Sequence, residues 1–233
     1  MRDQFAGDIT DWIKFSLLRA LAGEDRSLGI AWYYVRDTLL VDQEELDRDV
    51  AIGIAQIRGS VKKLEERPEI WKGVKDVTFF GDPVPHIAGR AKWLERMAKS
   101  LAGANIVFLD PDNGLGEASP KHATLAEVEA MRQPGRTVVL IHFPRRHDHE
   151  EQLDQLLKCL CGATRLASVL TIKTRVTFHR ENHQGENRPL PPRERWFAII
   201  DGDPEIDRRA RAFVRKLEGI DHCSASLHSM EEK

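Results

Sequence analysis

Asn105-Ile106-Val107-Phe108-Leu109-Asp110-Pro111-Asp112-Asn113-Gly114 is the stretch on which the reading of this chain turns. Its apolar run shows no alternation with polar residues, the pattern of a strand buried on both faces at the centre of a parallel sheet. The run ends in an acid, and Pro111 and Gly114 then turn the chain. Asp110, Asp112 and Asn113 are thereby presented at the strand's carboxyl end, where open α/β sheets hold their ligands. The same residues are also good turn formers in their own right, since Asp and Asn bond their own backbone and Gly accepts positive φ.

Outward from this strand the pattern repeats. Short β-rich runs at 29–35, 76–80, 137–142, 168–173 and 196–200 alternate with helical periodicity at 9–22, 43–66, 85–101, 125–132, 150–160 and 204–217. In the third helical stretch Ala88, Ala91, Leu94, Ala98 and Leu101 recur at three- and four-residue steps, one face of an amphipathic helix. Such alternation predicts a single α/β domain over 1–220, a mostly parallel sheet with helices on both faces. The polar segment 179–195, rich in Pro and Asn, reads as an insertion forming a lid or hairpin loop. Residues 221–233 lack periodicity and are expected to fray.

Composition narrows the function. Of 233 residues, 35 are basic and 37 acidic, for a formal charge of −2, so no global basic field marks a nucleic-acid binder. Binding of that kind needs a local patch, and Arg175, Arg180, Arg188, Arg193 and Arg195 supply one. No apolar run reaches the roughly 20 residues of a membrane span, and the N-terminus lacks the pattern of a signal peptide. Cys159, Cys161 and Cys223 make neither a disulfide framework nor a zinc signature. A cytoplasmic protein without membrane partners is expected.

Two further stretches carry chemistry. In Phe5-Ala6-Gly7-Asp8-Ile9-Thr10-Asp11-Trp12-Ile13-Lys14-Phe15, Asp8 suits a helix N-cap, and Asp11 and Lys14 share a face three residues apart. Apolar neighbours on both sides of Lys14 predict a half-buried amine. In His142-Phe143-Pro144-Arg145, His142 ends a buried strand and is expected in the cleft of Asp110, with Arg145 and Arg175 as cations for a phosphate. Phe80-Gly81-Asp82-Pro83 is another strand ending in an acid.

These motifs carry a resemblance. The opening from Phe5 to Phe15 resembles H-A-G-N-F-A-D-V-x-K-H of the bacterial enzymes that methylate the N6 atom of an adenine in 23S ribosomal RNA, with Ala6, Gly7, Asp11 and Lys14 on identical positions. The strand ending in Asp110 is similar to that family's D-P-P-Y strand, and 137–144 to its strand ending in an aromatic and Pro. The chain looks closer still to uncharacterised bacterial proteins with an F-L-D-P-D-N-G strand end. The resemblance implies a Rossmann-like fold of the S-adenosylmethionine methyltransferase type. It also implies that Lys14 helps hold the cofactor and that Asp110 accepts a hydrogen bond from the target amine; Asp8 and Asp82 are further cofactor candidates, and Asp112, Asn113 and His142 join Asp110 as catalytic candidates by their place at the strand ends. The chain departs from the family at Ala31–Asp37, which has no glycine where the family's glycine-rich turn lies, and at Asp112 and Asn113, which replace Pro and Tyr.

Three functions follow as expectations: an S-adenosylmethionine-dependent methyltransferase acting on nucleic acid or a nucleotide-like substrate; a phosphate-cleaving or nucleotide-processing enzyme with Mg²⁺ on Asp110 and Asp112; and a non-catalytic binding module or partner subunit of the same fold.

Overall fold

The computed structural model describes residues 6, 9–34, 61–145, 148–164, 168–181 and 187–231, with residues 178–181 and 187–190 described by their strand pairing. Strands β1 (Ser27–Trp32), β2 (Asp76–Phe80), β3 (Ile106–Asp110), β6 (Thr137–His142), β7 (Ser168–Glu181), β8 (Asn187–Ile200) and β9 (Cys223–Glu231) form one sheet in the order β2-β1-β3-β6-β8-β7-β9. A small parallel pair, β4 (Gly114–Leu115) and β5 (His122–Ala123), follows β3. The β2-β1-β3-β6 half is parallel and β8 and β9 run the other way, so the sheet is mostly parallel, as expected, but mixed rather than purely parallel.

The two faces of the sheet are covered by different helices. α1 (Ile9–Ala22), α2 (Val61–Glu65), α3 (Pro68–Trp71) and α7 (Pro204–Glu218) pack with Ile30, Phe108, Ile141 and Phe197 on one face. α4 (Arg90–Ser100), α5 (Leu125–Met131) and α6 (His149–Thr164) pack with Val107, Leu109, Leu140 and Trp196 on the other. Nearly uninterrupted burial of β1, β3 and β6 is the reason those strands read as continuous apolar runs. Local sequence sets the helix ends. Thr124 and Glu127 close a capping box on α5, Asp203 caps α7 before Pro204, and Arg209 donates to the last carbonyls of α1 at Leu21 and Ala22.

Two expectations are corrected. The segment expected to fray from residue 221 instead holds β9, which pairs antiparallel with β7 from Ser168↔Glu231 to Val176↔Cys223. Edge position explains the missed strand: its small and polar residues, Ser224, Ser226 and Ser229, mask the apolar alternation of Ala225 and Leu227. The expected insertion at 179–195 is not a loop over its whole length but largely the arms of the β7–β8 hairpin. Pro191 and Pro192, which suggested a loop, lie opposite Thr177 where the register shifts, a bulge that tolerates residues unable to donate to the ladder. Of the helix expected at 43–66, residues 43–60 lie outside the described residues. Among those described, no helix is long and apolar enough to cross a membrane.

Candidate functional site

β1 has β2 on one side and β3 on the other. Its connection to β2 runs through α2 and α3 on one face, whereas β3 reaches β6 through α5 on the opposite face. The chain thus leaves two adjacent parallel strands in opposite directions, and a crevice opens beyond their carboxyl ends. Trp32 and Asp110, the last residues of β1 and β3, are paired across it.

Asp110 follows Ile106 and Phe108 onto the α1 face, and there it meets Lys14. Lys14 Nζ donates to Asp110 Oδ2 at 3.0 Å and to Asp11 Oδ1 at 2.8 Å. All three side chains are buried, with residue exposures of 4% for Lys14 and 2% for each acid. Burial by itself would lower the Lys14 pKa, but the charges and hydrogen bonds of Asp11 and Asp110 outweigh it and hold the amine as an ammonium. Spacing three apart on α1 accounts for Asp11 with Lys14, while Asp110 comes from a strand 96 residues away.

An aromatic wall flanks this cluster. Phe15 packs edge-on against Trp32 and Trp71, and Trp32 stacks with Phe79 at 6.2 Å. Trp32 Nε1 donates to Glu65 Oε1 at 2.9 Å, which puts a half-buried carboxylate beside Gly81, at the ends of β1 and β2. Burial raises the Glu65 pKa, and the Trp32 bond opposes that rise. Sequence reasoning missed Glu65, because an acid in a short helix carries no signal until the fold sets it beside a strand end.

The remaining candidates separate. His142 does not share the Asp110 side of the sheet: it follows Val138 and Leu140 to the opposite face, because alternate side chains of a strand point opposite ways. There it stacks on Trp196 at 5.7 Å, and its Nδ1 accepts from the Leu115 amide at 3.3 Å. Burial, then His122 and Arg145, pull its pKa down to about 4, so the imidazole is neutral with its proton on Nε2. Gly114 is needed for this contact. Its φ is +93°, and a Cβ would stand 2.4 Å from His142 Nδ1.

Asp112 is half-buried and Asn113 exposed, the latter donating its backbone amide to Lys121 O at 2.8 Å in the loop that β4 and β5 close. Asp82 pairs on the surface with Arg96 of α4, and its carbonyl accepts from Trp93 Nε1. Arg145 is exposed beyond β6, and Arg175 is exposed on β7 with Glu194 at 3.9 Å. Asp8 lies outside the described residues. The structure therefore joins Lys14 with Asp110 and sets Asp82 and His142 apart from them.

A second buried cation shapes the loop after β3. Arg90 pairs with Glu127, which also accepts from the Tyr33 hydroxyl at 3.0 Å, and donates to the carbonyls of Ser119 and His122 at 2.7 Å each. Its guanidinium lies over the rings of Tyr33 and Trp93. These bonds tie α4 and α5 to the β4–β5 loop. Among the described residues, no group of three or more His, Cys, Asp and Glu side chains is arranged to hold a metal ion.

Comparison with models of known protein families gives no match to this chain, and none is found among curated proteins.

Proposed function

We propose that this chain is a methyltransferase-like enzyme of Rossmann-like ancestry that uses S-adenosylmethionine and acts on nucleic acid or a nucleotide-like substrate. The observation that carries the reading is the buried Lys14–Asp11–Asp110 cluster at the switch point of the parallel half-sheet. A carboxylate at the strand end suits a ligand's cationic centre, and the ammonium beside it suits that ligand's carboxylate. S-adenosylmethionine carries a sulfonium, an α-ammonium and a carboxylate. These residues fit it even though the family's glycine-rich turn has no counterpart at Ala31–Asp37.

Bound there, the cofactor supplies an electrophilic methyl group. Lys14 holds a carboxylate, and Asp11 holds Lys14 in place. Asp110, held by Lys14, accepts a hydrogen bond from the substrate's amine or hydroxyl and raises the electron density on the attacking atom. Glu65 accepts from ligand hydroxyls at the ends of β1 and β2. The aromatic wall of Phe15, Trp32 and Phe79 excludes water and strengthens every charge interaction inside.

The magnesium reading has less support, since among the described residues no group of three or more His, Cys, Asp and Glu side chains gathers around Asp110 and Asp112. Thermal denaturation with S-adenosylmethionine and S-adenosylhomocysteine tests the proposal. At a hundredfold its dissociation constant a ligand adds about 2.7 kcal/mol, and Asp110→Asn is expected to abolish that gain. Wild-type protein indifferent to both sulfur compounds, yet stabilised by Mg²⁺ with a nucleotide, would overturn it.

A further inference from the structure

Two histidines stand against the loop that follows β3, and the glycines of that loop seat both rings. A Cβ at Gly114 would stand 2.4 Å from His142 Nδ1, and one at Gly116 would stand 2.7 Å from His122 Cδ2. Leu115, between those glycines, packs with the core cluster that holds Ala123. The segment thus turns one side to the core and the other, formed by Gly114 and Gly116, to the two imidazoles, as alternate residues of a strand do.

Each ring commits one nitrogen to the loop. The Leu115 amide donates to His142 Nδ1 at 3.3 Å, and His122 Nδ1 shares a 2.7 Å bond with Ser119 Oγ. Neither Nε2 has a hydrogen-bond partner among the described residues. At His142, whose proton sits on Nε2, that leaves an unused N–H donor at the carboxyl end of β6. Arg145, three residues further on, is exposed, and its guanidinium meets no acid among the described residues. Its backbone is fixed to α6: the amide donates to Gln152 Oε1 at 2.7 Å, and the carbonyl faces His149 Nε2 at 2.8 Å. Burial first, and then positive charge alone, lowers the pKa of both imidazoles: His122 and Arg145 act on His142, and Arg145, Lys121 and Arg90 on His122. Cations and N–H donors gathered without an acid are stabilised when an anion joins them. Two imidazoles are too few for a metal centre, and no third ligand joins them among the described residues.

We propose that Arg145, His142 and His122 form a phosphate-binding site over Gly114 and Gly116, with the Arg145 guanidinium forked on two phosphate oxygens and the imidazoles donating to the others from Nε2. Arginine's planar fork matches phosphate, and bonds to an ionised acceptor are about twice as strong as neutral ones. The site lies at the same carboxyl edge of the sheet as Asp110, on the opposite face. It deepens the reading of the substrate as nucleotide-like and rests on that reading only for the source of the phosphate, a nucleotide's phosphomonoester or the free ion.

Isothermal titration calorimetry of the full chain with adenosine monophosphate, adenosine and inorganic phosphate tests the site. Wild-type protein is expected to bind the monophosphate more tightly than adenosine. Arg145→Gln is expected to weaken the monophosphate about tenfold, the loss of one charge-assisted contact, and Arg145→Lys to recover part of it. In the same titration followed by amide resonances, Leu115 and Gly116 shift while Asp11 and Lys14 do not. A monophosphate tighter than inorganic phosphate assigns the site to a nucleotide; equal affinity assigns it to the free ion. Adenosine as tight as its monophosphate, a Gln variant that binds as tightly as wild type, wild-type protein that binds neither phosphate, or shifts confined to α1 each overturn the proposal. S-adenosylhomocysteine carries no phosphate, so its binding is read in parallel. A response to it with none to either phosphate removes the site and keeps the cofactor; phosphate binding lost in Arg145→Gln, with no response to the sulfur compound, keeps the site and removes the cofactor.

Discussion

Lys14 and Arg90 are both cations sealed beside carboxylates, one on each face of the same sheet, and their partners differ in kind. Arg90 balances one acid, Glu127, and spends its other donors on the carbonyls of Ser119 and His122. That pair is neutral overall, and it moulds a loop. Lys14 bridges two acids, Asp11 and Asp110, at the mouth between β1 and β3. Its two acids come from separate elements, α1 and β3, and the amine joins them where the strands end. Burial of charge by itself thus does not mark a site. Its place against the strand ends does.

The strongest test of this contrast removes an acid from the scaffold cluster. Glu127→Gln leaves the Arg90 guanidinium buried without its counter-charge and is expected to cost about 3–5 kcal/mol by urea denaturation. A loss below about 1 kcal/mol, within the range of an exposed ion pair, would break the comparison, because Arg90 would then not need Glu127.

Acid sharpens the same contrast on the Arg90 face. His142 is neutral in the folded protein, with its pKa pulled from 6.5 to about 4, so the unfolded chain binds more protons between those values. Stability is full above pH 6.5, falls as the pH drops toward 4, and this residue accounts for at most about 3 kcal/mol of the loss. His142→Gln should flatten that limb of the stability curve; an unchanged limb would assign the loss to other groups. On the alkaline side the Lys14 and Tyr33 pKa values are both raised. Their contributions are present below about pH 10 and are lost as the pH climbs through the raised values.

The smallest effect is expected at the site. Asp110→Asn leaves Lys14 bonded to Asp11, so the ammonium keeps a counter-charge and the cost in stability is expected to be about 1–2 kcal/mol or less. A loss as large as that of Glu127→Gln would make Asp110 a structural acid and remove the distinction between the two clusters.

Much of the parallel half was legible in the chain. Strands buried on both faces read as unbroken apolar runs, and the expected 76–80, 137–142 and 9–22 coincide with β2, β6 and α1. The antiparallel half was harder, because β9 is a polar edge and prolines at a bulge imitate a loop. Lys14 and Asp110 were legible as candidates, each from its own local pattern. That they touch was not, since no local pattern spans 96 residues.

The chain by itself determined which residues are buried, where strand and helix alternate, and that an acid ends β3 and a lysine sits among apolar neighbours on α1. These follow from periodicity and turn chemistry, which act over a few residues. Only the tertiary structure decided which face each strand end presents. It brought Asp110 to Lys14 and turned His142 away, because the pleat alternates with every residue while strand pairing and helix packing choose which side of the sheet meets α1.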